Sequence, residues 1–311
     1  MARRCSVIYN PRARHGQLGR RMARLRPEIA AGLAAGYETA FLETAGPGNG
    51  TELVRRALNE GADLVVAIGG DGTTNEVVNG FFDGDRLRRD VPFGLLNIGT
   101  GGDTRRTLRL PSEIPAFCAM ILAGKTRRID VGFAELLGFD RRPMTRAFLN
   151  IADLGVGASV VARVNRGSKS LGGFLSFLGH TLIALWQYQP FPARIRLDEG
   201  EAEELSLVIM AIANCRYFGG GMKIAPDADP SDGLLDVVIV HDMPKARLFA
   251  NLHRIYAGTH VGVPGVKVAR ARTVAASAVT GEMPLNLDGE QPGMLPATFR
   301  VAPGALAVCV P

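Results

Sequence analysis

At 311 residues and 47% hydrophobic content, the chain can fill a core without disulfide or metal staples and is long enough for two domains. Its net charge of +6 suits an anionic partner, whether a phosphorylated substrate, an anionic membrane surface or nucleic acid. Cys5, Cys118, Cys215 and Cys309 all sit in apolar surroundings and none are at metal-ligand spacing, so the thiols read as buried and reduced; the five histidines form no zinc grouping.

Met1-Ala2-Arg3-Arg4 leads straight into a strand-like run over residues 5–10 that is too short for the apolar core of a signal peptide. No apolar span reaches transmembrane length. A helix is expected over 17–35, a strand over 38–43, a helix over 51–60 and a strand over 64–68. A helix whose first turns are Val77 to Phe82, a strand over 92–99, a helix over 112–123 and a short strand over 128–131 follow. Alternating strand and helix over 130 residues predicts an open, mostly parallel, Rossmann-like α/β sheet. Ligands of such sheets belong at the carboxyl ends of the strands, where Asn10, Thr44, Asp71 and Thr100 fall.

Beyond residue 130 the pattern changes to long strands over 146–155, 192–198, 203–214, 234–241, 266–276 and 284–287. Period-2 alternation such as Arg194-Ile195-Arg196-Leu197-Asp198 predicts a mainly antiparallel, β-rich C-terminal domain. An amphipathic helix is expected over 244–257. A second helix, over 171–188, is more apolar than a surface helix should be. It reads either as a buried helix on the second sheet or as the wall of an apolar cleft or membrane-contacting edge.

The chain is organised around Gly69-Gly70-Asp71-Gly72-Thr73-Thr74-Asn75-Glu76, set between a buried strand and a helix. Strand, glycine-rich turn and helix aim backbone N–H groups at an anion. A tight βα turn alone would need fewer glycines. A second glycine-rich turn, Gly99-Thr100-Gly101-Gly102-Asp103, ends the next strand, and Asp130 closes another. Converging carboxylates Asp71, Asp103 and Asp130 would suit water-bridged Mg²⁺. Ala119 to Thr126 imitates a phosphate loop of the Walker type but lacks its first glycine and follows no strand, so Gly124 reads as a helix cap. Leu287-Asp288-Gly289-Glu290 reads as a hairpin turn that carries two carboxylates at its tip.

Together these motifs resemble the diacylglycerol kinase catalytic family in its soluble bacterial form, related to sphingosine kinases and more distantly to NAD kinases. The resemblance runs through Asn10-Pro11, Gly69 to Glu76, Gly99 to Asp103, Ile129-Asp130-Val131-Gly132, Asn150 with Gly155-Val156-Gly157-Ala158, Asn214 to Ala228, Asp232 to Asp236 and Leu287 to Glu290. It implies a nucleotide-binding domain over 1–131, completed by a final strand near 303–311, and a lipid-substrate domain over 132–302. It implies an ATP- and Mg²⁺-dependent transfer of the γ-phosphate to a lipid hydroxyl, diacylglycerol or a relative, in an interdomain cleft. Gly69 to Glu76 and Thr100 would cradle the ATP phosphates, with Asn10 and Thr44 near the nucleotide and Asp71, Asp103 and Asp130 around Mg²⁺. Asp288 or Glu290 would serve as base, and a structural Mg²⁺ would use the Asp232 side chain and the Asp229 and Leu234 carbonyls. The implied setting is cytoplasmic and peripheral at the inner membrane surface, with a lipid substrate and no nucleic acid, and leaves a homodimer open. A kinase for a soluble acceptor and a non-catalytic nucleotide- or lipid-binding regulator are the rival readings. The chain departs from the family in having Gly102 where Asn is usual and Thr104 where Phe is usual, and Arg105, Arg106 and Arg109 add charge nearby.

Overall fold

The computed structural model describes residues 3–14, 16–99, 101–158, 179 and 182–311. The chain divides into two units, residues 1–130 with 304–311, and residues 131–303.

In the first unit, Leu64–Gly69 (β3) is an unbroken apolar run, buried at all six positions. Such a run is the signature of a strand covered on both faces. It pairs in parallel with Arg3–Tyr9 (β1) and Phe93–Asn97 (β6), and β1 pairs in parallel with Tyr37–Glu43 (β2). The order is β6-β3-β1-β2, and Val308 near the end of Glu290–Cys309 (β16) adds in parallel beside Phe93. A two-residue hairpin, Phe82–Asp83 (β4) with Arg86–Leu87 (β5), stands apart. The helices are Gln17–Leu33 (α1), Asn49–Asn59 (α2), Asp71–Phe81 (α3), Asp103–Leu108 (α4) and Ile114–Ala123 (α5). Leu18, Met22, Leu25, Ile29 and Leu33 recur at helical spacing on α1 and are its buried stripe, while Arg20, Arg21 and Arg24 face water. Burying each of those side chains contributes about 1.5–3 kcal/mol. Because the strands are parallel, their carboxyl ends share one edge of the sheet, where Asn10, Thr44 and Gly70 follow β1, β2 and β3.

The second unit is built from Thr126–Gly138 (β7, entering from the first unit), Pro143–Phe148 (β8), Ile151–Gly155 (β9), Phe191–Leu197 (β10), Glu203–Ala213 (β11) and Leu235–His241 (β12). Val266–Ala271 (β13), Thr273–Ala278 (β14), Pro284–Leu287 (β15) and most of β16 complete it. Its pairings are antiparallel, in the order β13-β12-β11-β10-β14-β16, with β9 between β11 and β15. Alternate residues enter one core, among them Phe148, Leu154, Met210, Ile212, Val237, Ile239, Leu285 and Phe299. Phe148 and Phe299 meet edge to face at 6.3 Å. Helix Lys245–Ala257 (α6) lies over the opposite face through Leu248, Phe249 and Leu252.

Three expected strands differ in extent. The run over 146–155 is two strands, because the N–H groups of Leu149, Asn150 and Ile151 bond to a side chain, Asp288. The run over 266–276 breaks at Arg272 into β13 and β14. The short strand at 128–131 is the 13-residue β7, whose later half pairs with β8. Of the expected helix over 171–188, residues 171–178, 180 and 181 lie outside the described residues, and 182–187 are helical. Ala184 and Leu185 are buried there with Tyr188 against Val208, Ile209 and Val240, while Leu182, Ile183 and Trp186 are exposed. No helix among the described residues is long and apolar enough to cross a membrane.

All four cysteines are buried and free. Burial pushes Cys5 up to about 12 and Cys309 up to about 11, so neither forms appreciable thiolate near neutrality. Ellman's reagent at pH 8 is therefore expected to leave the native protein unlabelled and to titrate four thiols after denaturation; fast stoichiometric labelling of the native state would contradict this burial.

Candidate active site

At the end of β3 the chain turns in a single residue. Gly70 is extended (φ −104°, ψ −171°) and Asp71 already opens α3, whose N-terminus has no side-chain cap. The first helical bond is Thr74 N–H to the Gly70 carbonyl at 3.1 Å, which leaves first-turn N–H groups for an anion. The second glycine turn presses against the first. Ile98 and Gly99 both donate their N–H to the Gly69 carbonyl at 2.9 Å. A Cβ on Gly99 would lie 2.6 Å from the Gly70 Cα, so only glycine permits this approach. Thr100 lies outside the described residues.

Asp71 and Asp103 come together around Gly101. A Cβ there would meet Asp71 Oδ2 at 2.5 Å and Asp103 Oδ2 at 3.9 Å. Asp71 Oδ2 accepts the Gly102 N–H at 3.0 Å, and Asp103 Oδ1 accepts Arg106 Nη1 at 2.7 Å. Asp103 and Thr104 are buried at the start of α4, so Thr104 fills interior space where the family carries Phe. Asp130 Oδ1 accepts the Gly304 N–H at 2.7 Å and thereby fastens the returning C-terminal strand. The expected three-carboxylate cluster is not assembled: among the described residues no group of three or more His, Cys, Asp or Glu side chains is gathered for a metal. The pair Asp71 and Asp103, two hard oxygen donors beside an anion loop, does fit Mg²⁺ held through water and phosphate.

Glu76 has a different task from the phosphate contact expected of it. Its Oε1 accepts the Gly48 N–H at 2.9 Å and its Oε2 the Gly50 N–H at 2.8 Å, which fixes the loop into α2. Asn75 is buried and bonds to Asn79. The motif thus divides into Gly69 to Thr74, which form the turn and the first turn of α3, and Glu76, which locks α3 to the loop into α2. Thr44 is buried, with its N–H on the Tyr9 carbonyl at 3.0 Å, and Asn10 Oδ1 accepts the Arg12 N–H at 2.9 Å.

In the second unit, Asp288 (φ 51°) and Gly289 (φ 93°) form a two-residue turn between Leu287 and Glu290. Two left-handed residues define a type I′ hairpin, for which Asp-Gly is the preferred pair. The Asp288 carboxylate reaches back into the strand break. Its Oδ2 accepts from Leu149 N–H at 2.7 Å, and its Oδ1 accepts from Asn150 and Ile151 N–H at 3.0 and 2.9 Å. Asn286 Oδ1 accepts the Gly289 N–H at 2.9 Å, and Asn286 Nδ2 donates to Asp153 Oδ2. Burial raises Asp153 from 3.8 to about 7, opposed by that hydrogen bond. Sequence reasoning passes over Asp153 and Asn286, although an ionisable residue inside Ile151-Ala152-Asp153-Leu154 is the available signal.

The residues expected to hold a structural Mg²⁺ do not fit it as they stand. Asp232 Oδ1 accepts the Leu234 N–H at 3.0 Å and its Oδ2 bonds to Arg270 Nη2, so a guanidinium stands on the cation side. The Asp229 carbonyl accepts the Asp232 N–H at 3.3 Å, and Arg270 Nε is 3.8 Å from Asp236 Oδ2.

An anion loop on a parallel sheet, joined to a β-rich unit with carboxylates on a tight turn, is the build of a two-unit phosphotransferase. Residues 4–134 match the diacylglycerol kinase catalytic domain, and residues 150–310 match the YegS C-terminal NAD kinase beta sandwich-like domain. The chain is 32% identical over 302 residues to a diacylglycerol kinase of Staphylococcus epidermidis, covering 96% of this chain and 89% of that protein. It is 32% identical over 316 residues to a diacylglycerol kinase of Staphylococcus haemolyticus, covering 99% and 89%. Two solved structures from Bacillus anthracis share the fold. One superposes with a TM-score of 0.76 at 22% identity, and the other, a diacylglycerol kinase, with 0.69 at 20%; each alignment covers 99% of this chain and 97% of the other. The chain belongs to the diacylglycerol kinase catalytic family and is a lipid kinase.

The raised Asp153 gives a prediction with a definite sign. The folded state keeps a proton that the unfolded chain releases at 3.8, so this residue costs stability increasingly from pH 4 to about 7 and no further above that. Asp153→Asn should therefore gain in Tm over the parent as pH rises across that window and hold a constant lead beyond it. A Tm difference that is flat between pH 4.5 and 7.5 would contradict the buried, neutralised carboxyl.

Proposed function

We propose that this lipid kinase transfers the γ-phosphate of ATP, with Mg²⁺, to a hydroxyl of diacylglycerol or a related lipid. The observation that carries the reading is the bare N-terminus of α3, held open by the backbone contact between Gly70 and Gly99. In this reading Gly69, Gly70, Asp71, Gly72, Thr73 and Thr74 receive the donor phosphates with Thr100, while Asn10 and Thr44 border the nucleotide. Mg²⁺ would be held by Asp71 and Asp103 and would offset charge spreading over the transferring group. The N–H groups of α3 supply fixed dipoles to the same charge without reorganisation.

On the acceptor side Glu290 is the base. Asp288 accepts three backbone N–H groups across the strand break and so serves as the clamp that shapes the turn; turning it to take a proton would release those donors. Glu290 is half-buried at the first residue of β16, directly after that turn. Peripheral contact with the inner membrane surface is supported by exposed Leu182, Ile183 and Trp186. Lys245 Nζ lies 5.9 Å from the Trp186 ring centroid, an apolar and cationic pairing suited to an anionic interface.

Mutation separates the roles. Glu290→Gln should lower phosphate transfer by at least about 100-fold with the KM for ATP near the parent value. Asp71→Ala should abolish transfer through the donor side. Asp288→Asn presents an amide N–H to backbone donors, so it should cost about 2 kcal/mol of stability as well as rate. Full turnover by Glu290→Gln, with Asp288→Asn folded but inactive, would move the base to Asp288.

A further inference from the structure

We infer that Asp153 is a positioning residue for the carboxylate turn: through Asn286 it holds Gly289, and therefore Glu290, in place. The inference rests on reading Glu290 as the base.

The Gly289 backbone N–H can only donate, so the Asn286 atom 2.9 Å away must be the amide oxygen. That orients the side chain and turns Asn286 Nδ2 toward Asp153 Oδ2. Asp153 must then accept a hydrogen bond, which a carboxylate and a neutral carboxylic acid can both do. An apolar residue in its place would leave a buried amide donor unsatisfied and let Asn286 turn away from Gly289.

Nothing else in its surroundings accounts for a carboxyl at this position. Asp153 lies in register with Asn286 on β15 and with Ala211 on β11. A Cβ on Gly157 would sit 2.1 Å from Asp153 Oδ1, and the same point is 3.0 Å from Ile209 Cδ1, so its other oxygen faces backbone and an aliphatic side chain. Its acidity is shifted by burial and by Asn286, with no charged group contributing. An ion-pair role is therefore not on offer among the described residues. A carboxyl raised to about 7 is largely neutral below that pH, which reduces the cost of burying it.

The hairpin is tied at both of its left-handed residues. Asp288 is clamped to Leu149, Asn150 and Ile151, and Gly289 is held by Asn286. Loss of the second tie would leave Glu290 attached to a turn fixed on one side. A displacement of about 1 Å at a reacting group can cost about 100-fold in rate.

The test compares Asp153→Val, Asp153→Asn, Asn286→Leu and the Asp153→Val/Asn286→Leu double variant in the full chain, with Glu290→Gln as reference. Lipid phosphorylation, KM for ATP and Tm are measured for each. Asp153→Val and Asn286→Leu should each lower kcat at least about tenfold with the KM for ATP changed less than about twofold. Asp153→Asn, whose amide oxygen still accepts, should keep kcat within about threefold. The double variant should be no worse than Asn286→Leu alone, as expected of two groups acting in one chain. Should Asp153→Val fail to fold, Asn286→Leu and Asp153→Asn carry the same comparison. Parent-like kcat in Asp153→Val or Asn286→Leu, beside an inactive Glu290→Gln, would overturn the inference and leave the base assignment standing. Failure of Asp153→Asn to rescue would also overturn it. An active Glu290→Gln would instead overturn the base assignment, and the inference with it.

Discussion

The donor site depends on one carbonyl. The oxygen of Gly69 accepts two N–H groups, from Ile98 and Gly99, and so binds the end of β3 to the turn after β6. That contact is possible only because Gly99 has no side chain, and α3 starts two residues after Gly69. With no side chain capping that helix, its first-turn N–H groups place positive partial charge at this edge of the sheet. Asp71 and Asp103 flank Gly101 beside it, so the proposed phosphate site and a carboxylate pair share a few residues of backbone.

The second unit applies a different solution to a similar problem. Its carboxylate turn is short and has two residues of positive φ, of which only Asp288 is a non-glycine that its surroundings must hold there. Asp288 supplies part of that constraint by replacing a strand partner for three consecutive residues. Asn286 supplies the rest, and behind it stands a carboxyl that burial drives toward neutrality. One carboxylate is satisfied by backbone donors and one is shifted toward neutrality by burial, and both lie beside Glu290, the base in the proposed reading.

Much of this was legible in the residues. The unbroken apolar run of β3, the glycines after it and the change to period-2 alternation beyond residue 130 expose the α/β and β-rich halves, because each is a local consequence of backbone geometry. The Asp-Gly turn was equally open to reading as a hairpin. What could not be read were the partners. Glu76 lies inside the phosphate motif, yet its carboxylate goes to Gly48 and Gly50, more than twenty residues earlier. Arg270 of β13 meets Asp232 in the turn before β12, a contact that no local pattern records. Asp153 and Asn286 are 133 residues apart, and only the register of β9 with β15 brings them face to face. The break at Leu149 and Asn150 likewise has its cause in residue 288 and none in its own sequence.

The central claim is that the chain moves the γ-phosphate of ATP onto a lipid hydroxyl. The most direct measurement offers the purified protein γ-labelled ATP and Mg²⁺ with diacylglycerol in mixed micelles, with NAD as a soluble competitor acceptor. The account predicts label in the lipid phase and none in NADP. Label in NADP with an unlabelled lipid phase, or no transfer to any of a panel of lipid hydroxyls, would contradict it.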